Sequence, residues 1–319
     1  MKHARRIGAA AATLIVLALI ARRVPLAPLE AALRNAHYQL FFAWMIPNTI
    51  FYLCWDTLVL KYVIGWFHGD VPYRDLLPVR ASSYVVGFFN TNAGRGTLAA
   101  YLWRRLDAPF LALGSTVIFL VLTEYTQLVV WALLGVFAFR SEITASVLSV
   151  AAVVAALWLV IIGYTRLKVT PSRAIAWLFA PREWQLFQTF RRAEAIRYVE
   201  VVLLRAPMFV VSLCAHYYGA HAFGIHIPFG QMLTFLPVIF MAAALPVTVA
   251  HLGTTQAAWI FFFGAYASAP RLLAFSLVAH LTFSFTRAAL GLLWLPVAYS
   301  ELVFPAPPAT AALRGVRSS

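Results

Sequence analysis

Long apolar runs divided by short basic stretches set the pattern of this chain. The runs cover about 7–21, 38–60, 109–139, 143–165, 197–219 and 271–298. Apolar stretches of about 17–25 residues are long enough to cross the hydrocarbon of a bilayer as helices. Six spanning helices are therefore expected. The first run is short and follows Lys2, Arg5 and Arg6. It reads as an uncleaved first helix in preference to a signal peptide, because Ile20-Ala21-Arg22-Arg23 lacks a small-x-small cleavage site. Two further apolar segments, about 76–103 and 229–268, look interrupted.

The interruptions echo each other. In the first, Val85 to Phe89 runs into Asn90-Thr91-Asn92-Ala93-Gly94-Arg95, and a helix is expected to resume near Gly96-Thr97. In the second, Met241 to Leu245 runs into Pro246-Val247-Thr248-Val249-Ala250-His251-Leu252 and resumes as Gly253-Thr254-Thr255-Gln256. Irregular backbone at membrane depth persists only where it is buried in protein or lines a wet cavity. Paired breaks in corresponding halves point to the binding site of a transporter.

Composition agrees with the pattern. The chain is 62% hydrophobic and 11% charged, with a mean hydropathy of +0.81; soluble domains carry about 25% charge. The fold class expected is an all-α integral membrane protein with about six transmembrane helices and two re-entrant or broken hairpins in an inverted repeat. One membrane domain fills residues 1–319, with repeat one over about 38–139, a basic linker over about 166–197 and repeat two over about 197–298. The net charge of +14 fits loop lysines and arginines under the positive-inside rule better than a nucleic-acid partner, so none is expected. The linker holds Arg166, Lys168, Arg173, Arg182, Arg191, Arg192 and Arg197, which places it in the cytoplasm. Counting spans from it puts both termini in the cytoplasm of an inner membrane and leaves Arg22, Arg23 and Arg34 on the outside. Pro181 to Arg197 reads as an amphipathic helix lying on the cytoplasmic leaflet, with Trp184, Phe187 and Phe190 on one face.

Polar groups inside the spans are the candidate site. Glu124 sits mid-span, where a charge costs about 2.5–3.5 kcal/mol even on the lenient scale, so it should face the interior and meet an arginine. Arg205, Arg287 and Asp56 also lie in spans. Arg205 and Asp56 read first as a structural pair or, for the arginine, as a side chain snorkelling to the interface. Asn90, Asn92 and Arg95 at the first break, with free amides and a helix start near Gly96, would suit an anion; a loop arginine is the plainer reading of Arg95. Thr254 and Gln256 at the second break would either bind a headgroup or satisfy frayed backbone. His216, His221 and His226 recur every five residues and do not share a helix face. No metal site is expected, and Cys54 and Cys214 suggest no disulfide framework. No catalytic motif, cofactor fingerprint or phosphate loop stands out, so the chain reads as no enzyme and as holding no cofactor.

The stretch Asn92-Ala-Gly-Arg-Gly-Thr-Leu-Ala-Ala-Tyr-Leu-Trp-Arg-Arg105, with Glu124 in the next helix, resembles the transmembrane region of lysylphosphatidylglycerol synthases. Leu245-Pro246, His251-Leu252-Gly253-Thr-Thr-Gln-Ala-Ala258 and Arg287 in the last span are similar too. The resemblance covers about 38–298 and implies two inverted repeats with re-entrant helices around a lipid-sized cavity. It implies a flippase-like transporter of a phospholipid or lipid-linked substrate, with Asn90, Asn92, Arg95, Glu124, Thr254, Gln256 and Arg287 as substrate-binding residues. Membrane lipids, an anionic phospholipid or lipid-linked headgroup among them, are the expected partners. A cell-envelope biosynthesis enzyme is a further one. Three positions depart from the family pattern: Thr97 follows Gly96 where glutamate is usual, Tyr125 follows Glu124 in place of arginine, and Gln256 replaces a glutamate. These residues hold no counterpart of the synthases' soluble transferase domain, so lysyl transfer is not expected of them. The alternative is a non-transporting membrane partner that binds a lipid-linked sugar or a glycosyltransferase.

Overall fold

The computed structural model describes residues 25–89, 91–106, 108–139, 143–166, 183–244 and 253–303. At 88, 89, 91–93, 95, 244 and 299–303 it describes the backbone alone. Among the described residues the chain is helical and has no strand. In order the helices are α1 (Leu26–Arg34), α2 (Tyr38–Phe67), α3 (Tyr73–Phe89), α4 (Thr91–Arg105), α5 (Phe110–Phe139) and α6 (Thr144–Arg166). They continue as α7 (Gln188–Arg192), α8 (Ala195–His221), α9 (Phe229–Ala244), α10 (Thr254–Phe263) and α11 (Ala269–Val303).

Five of these, α2, α5, α6, α8 and α11, are long and apolar enough to cross a membrane. Thirty residues of α5 rise about 45 Å at 1.5 Å per residue, which exceeds the roughly 30 Å of hydrocarbon. The five match the apolar runs from 38 onward; the run at 7–21 lies outside the described residues. The interrupted segments fold as two pairs of shorter helices, α3 with α4 and α9 with α10. The ten residues of α10 rise only about 15 Å, half of that thickness.

Several hydroxyls inside the helices are satisfied locally. Thr49, Thr57, Thr123, Thr165 and Thr234 each donate a hydroxyl proton to a carbonyl one turn back. This is how a hydroxyl is accommodated where water is absent.

The chain divides into two compact units, and each of the five long helices contributes to both. One unit (Met1–Tyr52, Tyr125–Ala151, Pro207–Thr286) contains α9 and α10. Its core is aromatic: Phe41, Phe223, Trp259, Phe263 and Phe275 are buried together, with edge-to-face contacts of Phe41 to Phe223 and Phe275 and of Trp259 to Phe275. Small residues let helices approach. A Cβ on Gly135 would lie 2.6 Å from the Thr234 backbone, and one on Gly230 would meet the Phe139 ring at 2.5 Å. Ser212 donates to the Asn48 carbonyl oxygen at 3.0 Å and ties α8 to α2.

The other unit (Leu53–Glu124, Ala152–Ala206, Arg287–Ser319) contains α3 and α4, whose crossing is closer still. A Cβ on Gly94 would lie 2.7 Å from the Ser83 carbonyl oxygen and 2.9 Å from the Gly87 Cα; one on Gly291 would lie 2.5 Å from the Ala81 carbonyl oxygen. Close backbone approach through glycine is the usual way helices associate where hydrocarbon supplies no hydrophobic drive.

Two expectations are corrected. The first interruption is not a loop running to Gly96: α3 is helical to Phe89 and the helix resumes at Thr91. Gly94, Arg95 and Gly96 therefore sit inside α4, because the tight Gly94–Gly87 contact holds that stretch helical against α3. Pro181 and Arg182 lie outside the described residues, and residues 183–197 do not form one amphipathic helix. Gln185–Phe187 is a single 3-10 turn, α7 lasts five residues, and the extended Ala193 separates it from α8. Phe190 is 2% exposed; it is drawn into a cluster with Phe119 and Trp158, away from the exposed Trp184.

Candidate functional site

The polar centre lies in the unit that contains α3 and α4. Asp56, on α2, is 5% exposed. Arg80, on α3, donates to one of its carboxylate oxygens from Nε at 2.6 Å and from Nη2 at 2.5 Å. Four residues along α3 stands Tyr84, one turn further on the same face. The Arg80 guanidinium sits 5.1 Å from the Tyr84 ring centroid. That of Arg287, from α11, lies 3.6 Å from the same centroid, a full cation–π contact. Tyr84 is 4% exposed, and its hydroxyl has no hydrogen-bond partner among the described residues.

A second pair stands close by. Arg205 Nη1 on α8 faces Glu124 Oε2 on α5 at 3.9 Å, with the arginine side chain 6% exposed and the glutamate 36%. That separation is a charge contact and not a hydrogen bond. Arg205 and Arg287 act electrostatically on Asp56, and the charges of Arg80, Asp56, Arg287 and Glu124 all reach Tyr84. Five formal charges thus form one group. Among the described residues, three guanidinium groups and two carboxylates share this apolar helical unit. The Trp55 indole braces the wall, donating to the Leu204 carbonyl at 2.6 Å.

No protein-family model matches the chain, and no curated protein is significantly similar to it.

Of the residues singled out in the sequence, Glu124 and Arg287 fall in this group. Asp56 and Arg205 join them: both are buried, so Arg205 does not snorkel to an interface. Arg80 and Tyr84 carry no sequence signal of their own. Arg80 stands two residues after Pro78 inside an interrupted apolar segment. Asn90 and the side chains of Asn92 and Arg95 lie outside the described residues. The helix start that was to accompany Arg95 near Gly96 is displaced to Thr91.

Thr254 and Gln256 belong to the other unit, at the start of α10. The residues before them, 245–252, lie outside the described set. Gly253 has φ +94, a backbone conformation that glycine adopts without strain. Gln256, 1% exposed, accepts the Gly253 N–H on its side-chain oxygen at 2.7 Å, so half of its amide serves as a helix cap. Its Nε2 has no partner among the described residues.

The histidines are arranged differently from the periodicity. The rings of His221 and His226 come within 4.9 Å, because α8 ends at His221 and the chain turns back through Gly224 at φ +66. Among the described residues no group of three metal-ligating side chains forms. A separate polar chain joins α5 to α7: His68 Nε2 and the Thr116 hydroxyl are 2.7 Å apart, the Thr116 and Thr189 hydroxyls 2.8 Å, and the Thr189 N–H donates to Ser115 at 3.1 Å. Burial, and next the charge of Arg192, push the His68 imidazole down to about 4.

Proposed function

We propose that this protein is a flippase-like transporter that moves a phospholipid or lipid-linked amphiphile across the inner membrane. One observation carries the reading: three arginines and two carboxylates gathered around the buried Tyr84 ring, inside an apolar helical unit. Ionisable residues at membrane depth are expensive and mark substrate paths more often than structure. Buried guanidinium groups beside the Tyr84 hydroxyl suit a phosphate, whose oxygens take charge-assisted hydrogen bonds from arginine. Glu124, more than a third exposed, faces the part of a headgroup that carries donors or positive charge.

In this reading Asp56 and Arg80 form the fixed frame, and Arg287 and Arg205 are the groups that meet the ligand. The broken pairs α3–α4 and α9–α10 belong to two inverted repeats, over about 38–139 and 197–298, that alternate access to the site. The resemblance to the synthase membrane region supports the same reading.

The test is leaflet exchange of a fluorescent phospholipid in proteoliposomes. Exchange above that of protein-free vesicles is expected. Arg287→Gln and Glu124→Gln, which leave the Asp56–Arg80 pair intact, should lower the rate about tenfold, the effect of losing about 1.4 kcal/mol of interaction. Exchange equal to empty vesicles, or both variants running at the wild-type rate, overturns the proposal.

A further inference from the structure

A groove of about 400 Å³ runs between α4 and α5, lined by Gly96, Ala99, Phe110, Gly114, Val117 and Leu122 among others. We propose that it holds one acyl chain of a lipid whose headgroup sits at the Glu124–Arg205 end, an assignment that rests on the transport reading above and specifies its substrate as an acyl-chain lipid.

Two glycines carry the argument. Gly94, Gly135, Gly230 and Gly291 are explained by crowding, since a Cβ on each would strike a neighbour within 2.9 Å. Gly96 and Gly114 are not, and nor is Gly87 on α3: a Cβ on any of the three meets nothing within 4 Å, but Gly87 receives the close approach of Gly94 while the other two line the groove. Neither has a positive φ. Both lie within helices, where glycine costs about 1 kcal/mol relative to alanine. On the two helices that wall the groove that cost is borne at Gly96 and Gly114, where no neighbour within 4 Å of a Cβ explains it. What the two glycines do is keep the groove open.

The shape and surroundings fit a single chain. From Phe110 to Leu122 the groove follows α5 for about 18 Å at 1.5 Å per residue. That is a little over half of the roughly 30 Å hydrocarbon thickness, the depth one leaflet's chains fill. The lining is almost wholly apolar, and Phe110 and Ile118 are themselves exposed on a helix apolar enough to span, so the groove opens toward lipid.

Its α5 stripe also ends on charge. Phe110, Val117 and Glu124 stand seven residues apart, about two helical turns each, so Glu124 continues the line of the groove. The carboxylate there faces Arg205. An apolar channel that terminates in an ion pair has the polarity of an amphiphile laid along it.

The experiment uses the full chain in vesicles of phosphatidylethanolamine and phosphatidylglycerol, with phosphatidylethanolamine bearing a mid-chain diazirine as the probe. After illumination, labelled peptides are mapped by mass spectrometry. Label on the 96–122 peptides should exceed that on the exposed α6 face around Val153 and Leu159 about tenfold, the ratio set by a preference of about 1.4 kcal/mol. Gly114→Leu fills the groove and should abolish the excess while leaving thermal stability and the α6 label unchanged. Equal label on the two faces in the wild type overturns the proposal, whether or not the variant folds. So does an excess that survives Gly114→Leu, or a groove shielded by a second copy, seen as cross-links between chains. Leaflet exchange measured on the same vesicles keeps the two readings apart: exchange without groove label defeats only this assignment, and groove label without exchange defeats only transport.

Discussion

Replacing Arg80 by leucine should leave the Asp56 carboxylate stranded. In the native protein two guanidinium nitrogens of Arg80 reach the same Asp56 oxygen, at 2.6 and 2.5 Å, and the side chains are 18% and 6% exposed. At such burial the gain of pairing is largely offset by the desolvation of both ions, so the intact pair adds little net stability. Removing one partner is different, because the other charge keeps its desolvation cost without its neighbour; breaking a buried pair in this way costs about 3–5 kcal/mol. Arg205 and Arg287 also act on Asp56 and cover part of the loss, which places Arg80→Leu near the lower end, at about 3 kcal/mol. The measurement is reversible unfolding in mixed detergent micelles, run as a double-mutant cycle with Asp56→Asn. Asp56→Asn/Arg80→Leu, with no charge left to strand, should recover about half or more of the single variant's loss. An Arg80→Leu protein within about 1 kcal/mol of wild type, or a double variant no more stable than the single one, would refute the buried-pair argument.

Three further outcomes follow from local geometry. Gly94→Ala should destabilise by about 1–3 kcal/mol, because its methyl would meet unyielding backbone at 2.7–2.9 Å, whereas Gly114→Ala should be neutral or stabilising; the same unfolding assay compares them. Gln256→Ala should cost about 0.5–2 kcal/mol through loss of the Gly253 N–H acceptor, read as an earlier unfolding midpoint. His68, held to about 4 against 6.5 when unfolded, is neutral in the fold while the unfolded chain takes up a proton. Stability is therefore full above about pH 6.5 and falls as the pH drops toward about 4. Melting curves from pH 7.5 to 4.5 should shift less in His68→Gln than in the wild type.

The spans were legible in the sequence because crossing hydrocarbon is a local demand. A helix satisfies its own backbone, and about twenty apolar residues suffice wherever the neighbours lie. Hence the runs at 38–60, 109–139, 143–165, 197–219 and 271–298 correspond to α2, α5, α6, α8 and α11. The expense of a mid-span charge is local too, which is why Glu124, Arg205 and Arg287 could be singled out. Partner choice is not local. Asp56 meets Arg80 from 24 residues away, and Arg287 meets the Tyr84 ring, only because Gly94 and Gly291 let α3 sit against α4 and α11. The same packing moved the start of α4 from Gly96 to Thr91, and the burial of Phe190 broke the 183–197 segment into short turns. The sequence by itself determined which stretches enter the membrane and that their charges need partners. Only the tertiary structure decided which charges face each other and where a groove stays open, because those depend on how helix faces pack, and no single helix carries that information.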